Sequence, residues 1–186
     1  MATVKKLEPG VVLAAAPMML DPNFRRAVIL LCEHSDEGSF GLIVNRPLPI
    51  RSEELDEMLH GQHALLSFGG PVQPTSLHYV HDLADEIPGS EQISAGVYWG
   101  GDFSFVQTLA GSTALAERDI RFFLGYAGWG PGQLEAELAT NDWILGNSSR
   151  DLIFKTDADS VWGTVLERLG GHYALLANFP SNPRLN

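Results

Sequence analysis

Apolar positions fall in short runs separated by turn residues, and their spacing changes along the chain. Ala27 to Cys32 is an unbroken apolar run, the pattern of a strand covered on both faces. Phe40 to Val44 is a second run. The polar stretch Glu33 to Ser39 between them predicts a hairpin. Val11 to Ala16 predicts an earlier strand, opened by the turn residues Pro9 and Gly10. Asn45-Arg46-Pro47 stops the pairing, because proline cannot donate to a ladder. Ser52 ahead of Glu53, Glu54 and Leu55 predicts a helix over 52–60, with Leu55, Met58 and Leu59 on one face and Gly61 at its end.

Farther on, Leu65 to Phe68 predicts a short strand running into the turn Gly69-Gly70-Pro71, and Leu77 to Val80 the next strand. Asp82 to Ser90 reads as a loop, and Val97 to Trp99 as a strand fragment. Asp102 can cap a helix that runs to Leu109 and closes at Gly111. Ile120 to Leu124 predicts a strand, followed by a glycine-rich loop from Gly125 to Gly132 and a helix over 131–140. Trp143 to Leu145 and Leu152 to Phe154 read as short strands. The last helix spans Ser160 to Leu169, with Val161, Val165 and Leu169 at helical spacing. Strands and helices interleave through short connections, so the expected fold is one mixed α/β domain over 1–186, with its core over about 10–178 and a loose tail over 179–186. The early hairpin argues against a purely parallel sheet.

Composition narrows the function classes. The chain has 186 residues, 45% hydrophobic and 19% charged, which is too apolar for a disordered protein. No apolar run is long enough for a membrane helix. Lys5 and Lys6 ahead of Val11 to Ala16 faintly resemble a secretion signal, but Glu8-Pro9-Gly10 interrupts it, and the buried-strand reading is simpler. The single Cys32 excludes an internal disulfide and agrees with a cytoplasmic location. A net charge of −11 argues against direct contact with nucleic acid or anionic membranes, so the expected partner is a protein or a small ligand.

The segment from Phe123 through Gly125-Tyr126-Ala127-Gly128-Trp129-Gly130-Pro131-Gly132 to Leu138 carries a specific resemblance. So do, in order, Ala16-Pro17 with Met19, Asp21, Pro22 and Phe24, then Gly41 to Pro47, then Gly69-Gly70-Pro71-Val72. Together they resemble the YqgE/AlgH family of bacterial proteins over about residues 10–180. That resemblance implies a compact α/β domain with a strongly bent, barrel-like mixed sheet and flanking helices. It implies no established enzymatic activity. One branch carries the label of transcriptional regulator.

Several residues have the chemistry of a site. The stretch from Gly125 to Gly132 lies where phosphate-binding loops lie, ahead of a helix. It has neither the lysine of a P-loop nor dinucleotide spacing, and a capping role is simpler, with Gly130 as cap and Gln133 reaching back to its amide. Cys32 and His34 share a strand face but read more simply as core and turn. His60 with His63, and His78 with His81, lack the spacing of a metal motif, so no metal and no cofactor is expected. Asp21, Asn45 and Arg46 are polar residues at element ends, and Asp21 could pair with Arg46 or tie loops to the core. The sharper reading is a ligand-binding rim of Asp21, Asn45, Arg46, Gly69, Gly70, Tyr126, Gly128 and Trp129, with Arg46 as anion contact. Three functions remain: non-catalytic binding of a partner or ligand, with gene regulation as its outcome, direct DNA-binding regulation, and a hydrolase using a polar rim near Asn45, Arg46 and the Gly125–Gly132 loop. The second lacks a helix-turn-helix, since helix 52–60 carries Glu53, Glu54, Asp56 and Glu57.

Overall fold

The structure, a computed structural model, describes residues 6–49, 57, 66–83, 86–110 and 120–179. The expected helix over 52–60 with His60 and His63, the expected stop at Gly111, and 180–186 of the tail lie outside them. Among these residues nine strands form one curled half-barrel sheet: β1 (Val11–Ala15), β2 (Val28–Ser35), β3 (Gly38–Ile43), β4 (Leu66–Phe68), β5 (Val72–His81), β6 (Glu91–Ser94), β7 (Val97–Trp99), β8 (Ile120–Trp129) and β9 (Trp143–Asn147). Five named helices flank it among the described residues: α1 (Phe103–Ala110), α2 (Gln133–Ala139), α3 (Arg150–Phe154), α4 (Ala158–Leu169) and α5 (Gly171–Leu176). The strand order is β6-β7-β5-β8-β3-β2-β1-β9, with β4 paired to β8 off this path. Only β4 and β8 run parallel among the described pairs, so the fold is mixed α/β as expected.

β8 is the hub. Its first half pairs with β4 and β5, and its second half with β3. Gly125 (φ +68) sits at the changeover. A Cβ there would lie 2.3 Å from the Gly70 carbonyl oxygen, so only glycine lets the two backbones cross. The expected loop after Leu124 is therefore strand as far as Trp129. Ala127 and Trp129 point into the core while Gly128 faces out, the period-2 alternation of a half-buried strand.

The core lies on both faces of the sheet, which is why β1 is buried at all five positions. Val12 and Ala14 meet Val161, Trp162, Val165 and Leu166 of α4, whereas Val11, Leu13 and Ala15 join Trp129, Leu134 and Trp143 near α2. Fully burying a large aliphatic or phenylalanine side chain such as Phe122 contributes about 1.5–3 kcal/mol over leaving it in water. A third cluster gathers Tyr79, Val106 and Phe122 beneath α1, but Phe105 of the same helix is 44% exposed and outside the core.

Two further expectations need correction. Leu152 to Phe154 belongs to helix α3, because the Ser149 hydroxyl accepts the Leu152 amide at 3.2 Å and starts a helical turn. The residue capping α2 is Gly132 in a left-handed conformation, although Gln133 does reach back to accept the Gly130 amide at 3.1 Å.

Candidate functional site

The eight expected rim residues separate into three groups. Gly69 and Gly70 are buried at the backbone crossing, where a Cβ on either would lie 2.2 Å or less from Gly125 or Tyr126. The Gly69 carbonyl accepts the Ile43 amide, and the Gly69 amide donates to Leu124. Close backbone packing, with no side chain to offer, explains their identity.

Asn45 and Arg46 form the second group. The Asn45 carboxamide oxygen accepts the Val28 amide and its nitrogen donates to the Arg26 carbonyl, each at 2.8 Å. Asn45 thereby ties the end of β3 to the start of β2. Arg46 donates to the Arg25 carbonyl rather than to Asp21, and Asp21 accepts the Asn23 amide at 2.8 Å inside its own turn. The two residues line a cleft of about 320 Å³ with Arg26, Ala158, Asp159 and Trp162. Burial, reinforced by the neighbouring Arg25 charge, pushes the Arg46 pKa below its ordinary value.

Asp21, Tyr126, Gly128 and Trp129 form the third group, along the second half of β8. Gly128 and Trp129 separate two hollows. On one side a hollow of about 350 Å³ is lined by Asp21, Phe24, Trp129, Glu137, Asp142 and Trp143, among others. Both indoles donate to one carboxylate oxygen of Glu137, Trp129 at 2.9 Å and Trp143 at 2.7 Å. Gln133 donates to the other oxygen at 2.8 Å. Trp129 and Trp143 meet edge to face at 6.0 Å, and Phe24 meets Trp143 the same way at 5.6 Å. The result is an aromatic wall around a fixed carboxylate, with two more carboxylates at the rim. Beside it, Met18 and Leu20 are 67% and 77% exposed.

On the other side of Gly128, an open hollow of about 460 Å³ is lined by Tyr126, Phe40, Ser39 and the turn of the β2–β3 hairpin. Ser39 and His34 are cross-strand partners there. The Ser39 hydroxyl lies 2.8 Å from His34 Nδ1, and Glu135 lies 3.6 Å from His34 Nε2. Neither pair was expected from sequence, since the contact depends on the hairpin register.

Cys32 is buried, and burial together with Glu33 raises its thiol pKa well above the usual value, which leaves it a poor nucleophile. Among the described residues no cluster of three metal-ligating side chains exists, and no helix is long and apolar enough to cross a membrane.

Sequence reasoning also missed Arg121. It is the one charged side chain in the apolar run Ile120 to Leu124, and that isolation was the available signal. Only 9% exposed, it donates to the carbonyls of Ile153 at 2.7 Å and Val44 at 2.9 Å, and to the Ser67 hydroxyl at 3.1 Å. Its Nε–H is buried with no hydrogen-bond partner among the described residues. Burial brings its pKa down to about 10, so the guanidinium stays charged at neutral pH.

A bent α/β half-barrel with clefts at its strand ends is the class of protein these features define. The AlgH-like family profile matches residues 12–174. A UPF0301 protein of Chlorobium limicola is 39% identical over 188 residues, covering 97% of each chain. Another, from Cytophaga hutchinsonii, is 40% identical over 184 residues, covering 97% of this chain and all of the relative. A crystal structure of a Corynebacterium diphtheriae protein superposes with a TM-score of 0.78 at 25% identity over 94% of both chains. The solution structure of the AlgH protein of Pseudomonas aeruginosa gives 0.73 at 28% identity over 97% of this chain and 98% of that one. The chain belongs to the AlgH-like UPF0301 family.

Proposed function

We propose that the protein is a non-catalytic cytoplasmic binding protein that acts through a partner protein, with any effect on gene expression exerted through that partner. The hollow beside Trp129 carries this reading. Its aromatic wall, three carboxylates and exposed flanking Met18 and Leu20 suit a partner's lysine or arginine side chain within an apolar contact. The acidic chain as a whole attracts such a partner over distance. Asp21, Gly128 and Trp129 line this hollow and Tyr126 the neighbouring one, whereas Asn45, Arg46, Gly69 and Gly70 line neither.

The test is titration of N-acetyl-arginine amide into 15N-labelled protein. Saturable shifts of the Trp129 and Trp143 indole signals are expected, at least five-fold weaker in the Asp21→Asn/Asp142→Asn variant with an unchanged melting temperature. Absent indole shifts, or equal affinity in the variant, would remove the proposal.

One observation favours the hydrolase reading as a second choice: the Ser39, His34 and Glu135 constellation in the neighbouring hollow. There His34 would accept the Ser39 proton as the hydroxyl attacks an ester carbonyl. A fluorophosphonate probe would label Ser39 under this reading and leave it unlabelled under the first.

A further inference from the structure

Within the acidic chain, one group of arginines has no carboxylate partner among the described residues. Arg25, Arg26, Arg46 and Arg121 are four of the chain's 12 basic residues. Their charges are close enough that Arg25 lowers the pKa values of both Arg26 and Arg46, behind the larger effect of burial. Each acceptor recorded for Arg26, Arg46 and Arg121 is a backbone carbonyl or a hydroxyl: Phe179 for Arg26, Asn45 and Arg25 for Arg46, and Ile153, Val44 and Ser67 for Arg121. Carbonyls orient a guanidinium but leave its charge uncompensated. Among the described residues no ion pair neutralises any of the four.

Three of them, Arg26, Arg46 and Arg121, flank one structural feature, the first turn of the 12-residue helix α4. Ala158 and Asp159 line the cleft that holds Arg26 and Arg46, and also a larger one of about 650 Å³ that holds Arg121, Ser67 and Lys155. Asp157 caps the helix without a side-chain hydrogen bond, and the amides of Ala158 and Asp159 meet no acceptor among the described residues. Helix N-terminal amides carry partial positive charge and point outward along the axis. The side chains of Asp157 and Asp159 and the ion pair of Lys155 with Asp151 (2.9 Å) oppose an anion here. A doubly charged ligand gains more from the three guanidinium groups than a monoanion does, and a tetrahedral one can take amides and guanidinium forks together.

We propose that these two clefts form an anion site for a small phosphate-bearing ligand, with one phosphate held at the first turn of α4 between Arg121 and the Arg26–Arg46 pair. The site is separate from the hollow beside Trp129, so either proposal can fail without the other.

The experiment is titration of inorganic phosphate and pyrophosphate into the 15N-labelled full chain, at constant ionic strength set with chloride. Saturable shifts are expected at the Ala158 and Asp159 amides and at Arg121 Nε. Arg46→Gln should weaken pyrophosphate at least five-fold. Arg121 ties three segments together and its variants can unfold, so Ala158→Pro supplies the second test. Proline is favoured at the first helical position, and Asp157 (φ −57°, ψ 139°) already has the backbone that precedes proline. The variant removes one amide donor, so it should keep the melting temperature and weaken binding at least three-fold. Shifts that chloride alone reproduces, unchanged affinity in both variants, or binding of a short DNA duplex that pyrophosphate cannot displace would each overturn the proposal.

Discussion

The hollow beside Trp129 and the clefts around α4 handle buried charge in opposite ways. In the first, the Glu137 carboxylate receives three hydrogen bonds, two of them from indoles that have few other places to donate. Charge and donors satisfy one another, and the group is complete before any partner arrives. In the second, Arg121 is buried with three oxygen acceptors and, among the described residues, neither a partner for its Nε–H nor a carboxylate counter-charge. A satisfied network defines a rigid surface to dock on. A buried cation held only by neutral oxygens keeps its charge, which is the premise of the anion-site proposal. The fold can hold both because β8 passes between them and changes partners at Gly125.

The largest expected effect comes from Arg121. Arg121→Met leaves the Val44 and Ile153 carbonyls without their donor, and urea unfolding should show a loss of roughly 3 kcal/mol or more. A loss under about 1 kcal/mol would mean that the guanidinium is not a structural tie and would break the contrast at its cationic end. Glu137→Ala should cost about 2–4 kcal/mol, because it strands the indole N–H groups of two buried tryptophans. Near-normal stability there would show that the indoles find other acceptors.

Acid sharpens the contrast through a third region, where a buried titratable group is satisfied only in its neutral form. His81 is fully buried, its Nδ1 accepts the Leu83 amide at 3.2 Å, and Nε2 lies 3.0 Å from the Gly100 carbonyl oxygen. Burial lowers its pKa below 6.5, against smaller opposing effects of Gly100 and Asp82. Below that value the unfolded chain takes up a proton that the folded chain refuses. Stability is therefore present above pH 6.5 and lost as pH falls toward the folded value, by up to about 1.4 kcal/mol per pH unit for one proton. His81→Gln should flatten part of that slope in denaturation series from pH 7 to 5. The remainder belongs to other groups, including His78, which is shifted the same way by burial.

The smallest effects are expected at the exposed rim. Asp21→Asn and Met18→Ser should each change stability by less than about 0.5 kcal/mol in thermal unfolding. A larger loss would place these residues in the fold rather than in a docking surface.

Much of the sheet was legible because its strands are short apolar runs. Val11 to Ala15, Val28 to Cys32 and Gly41 to Ile43 announce themselves by burial on both faces. The end of β8 was not, because its glycines suggest a loop until the Ala127–Trp129 alternation is weighed against them. β6, Glu91–Ser94, buries only Ile93 and offered no apolar pattern at all. The sites were less legible still. Asp21 and Trp129 do meet in one hollow, but Glu137, Asp142 and Trp143 join them through the packing of α2 and β9, which sequence spacing does not encode. Arg46 was legible as a candidate anion contact because its two-donor fork stands at a strand end beside Pro47. Arg121, hidden in an apolar run, is the more deeply buried cation.

The most direct test of two separate binding places uses both probes on one labelled sample. The protein carries four tryptophans, and Trp162 beneath Arg26 reports on the α4 clefts as Trp129 and Trp143 report on the acidic hollow. N-acetyl-arginine amide should shift the indole signals of Trp129 and Trp143 and leave Trp162 in place, and pyrophosphate added afterwards should shift Trp162 alone. Both probes moving the same indoles, or neither moving any, would contradict the account.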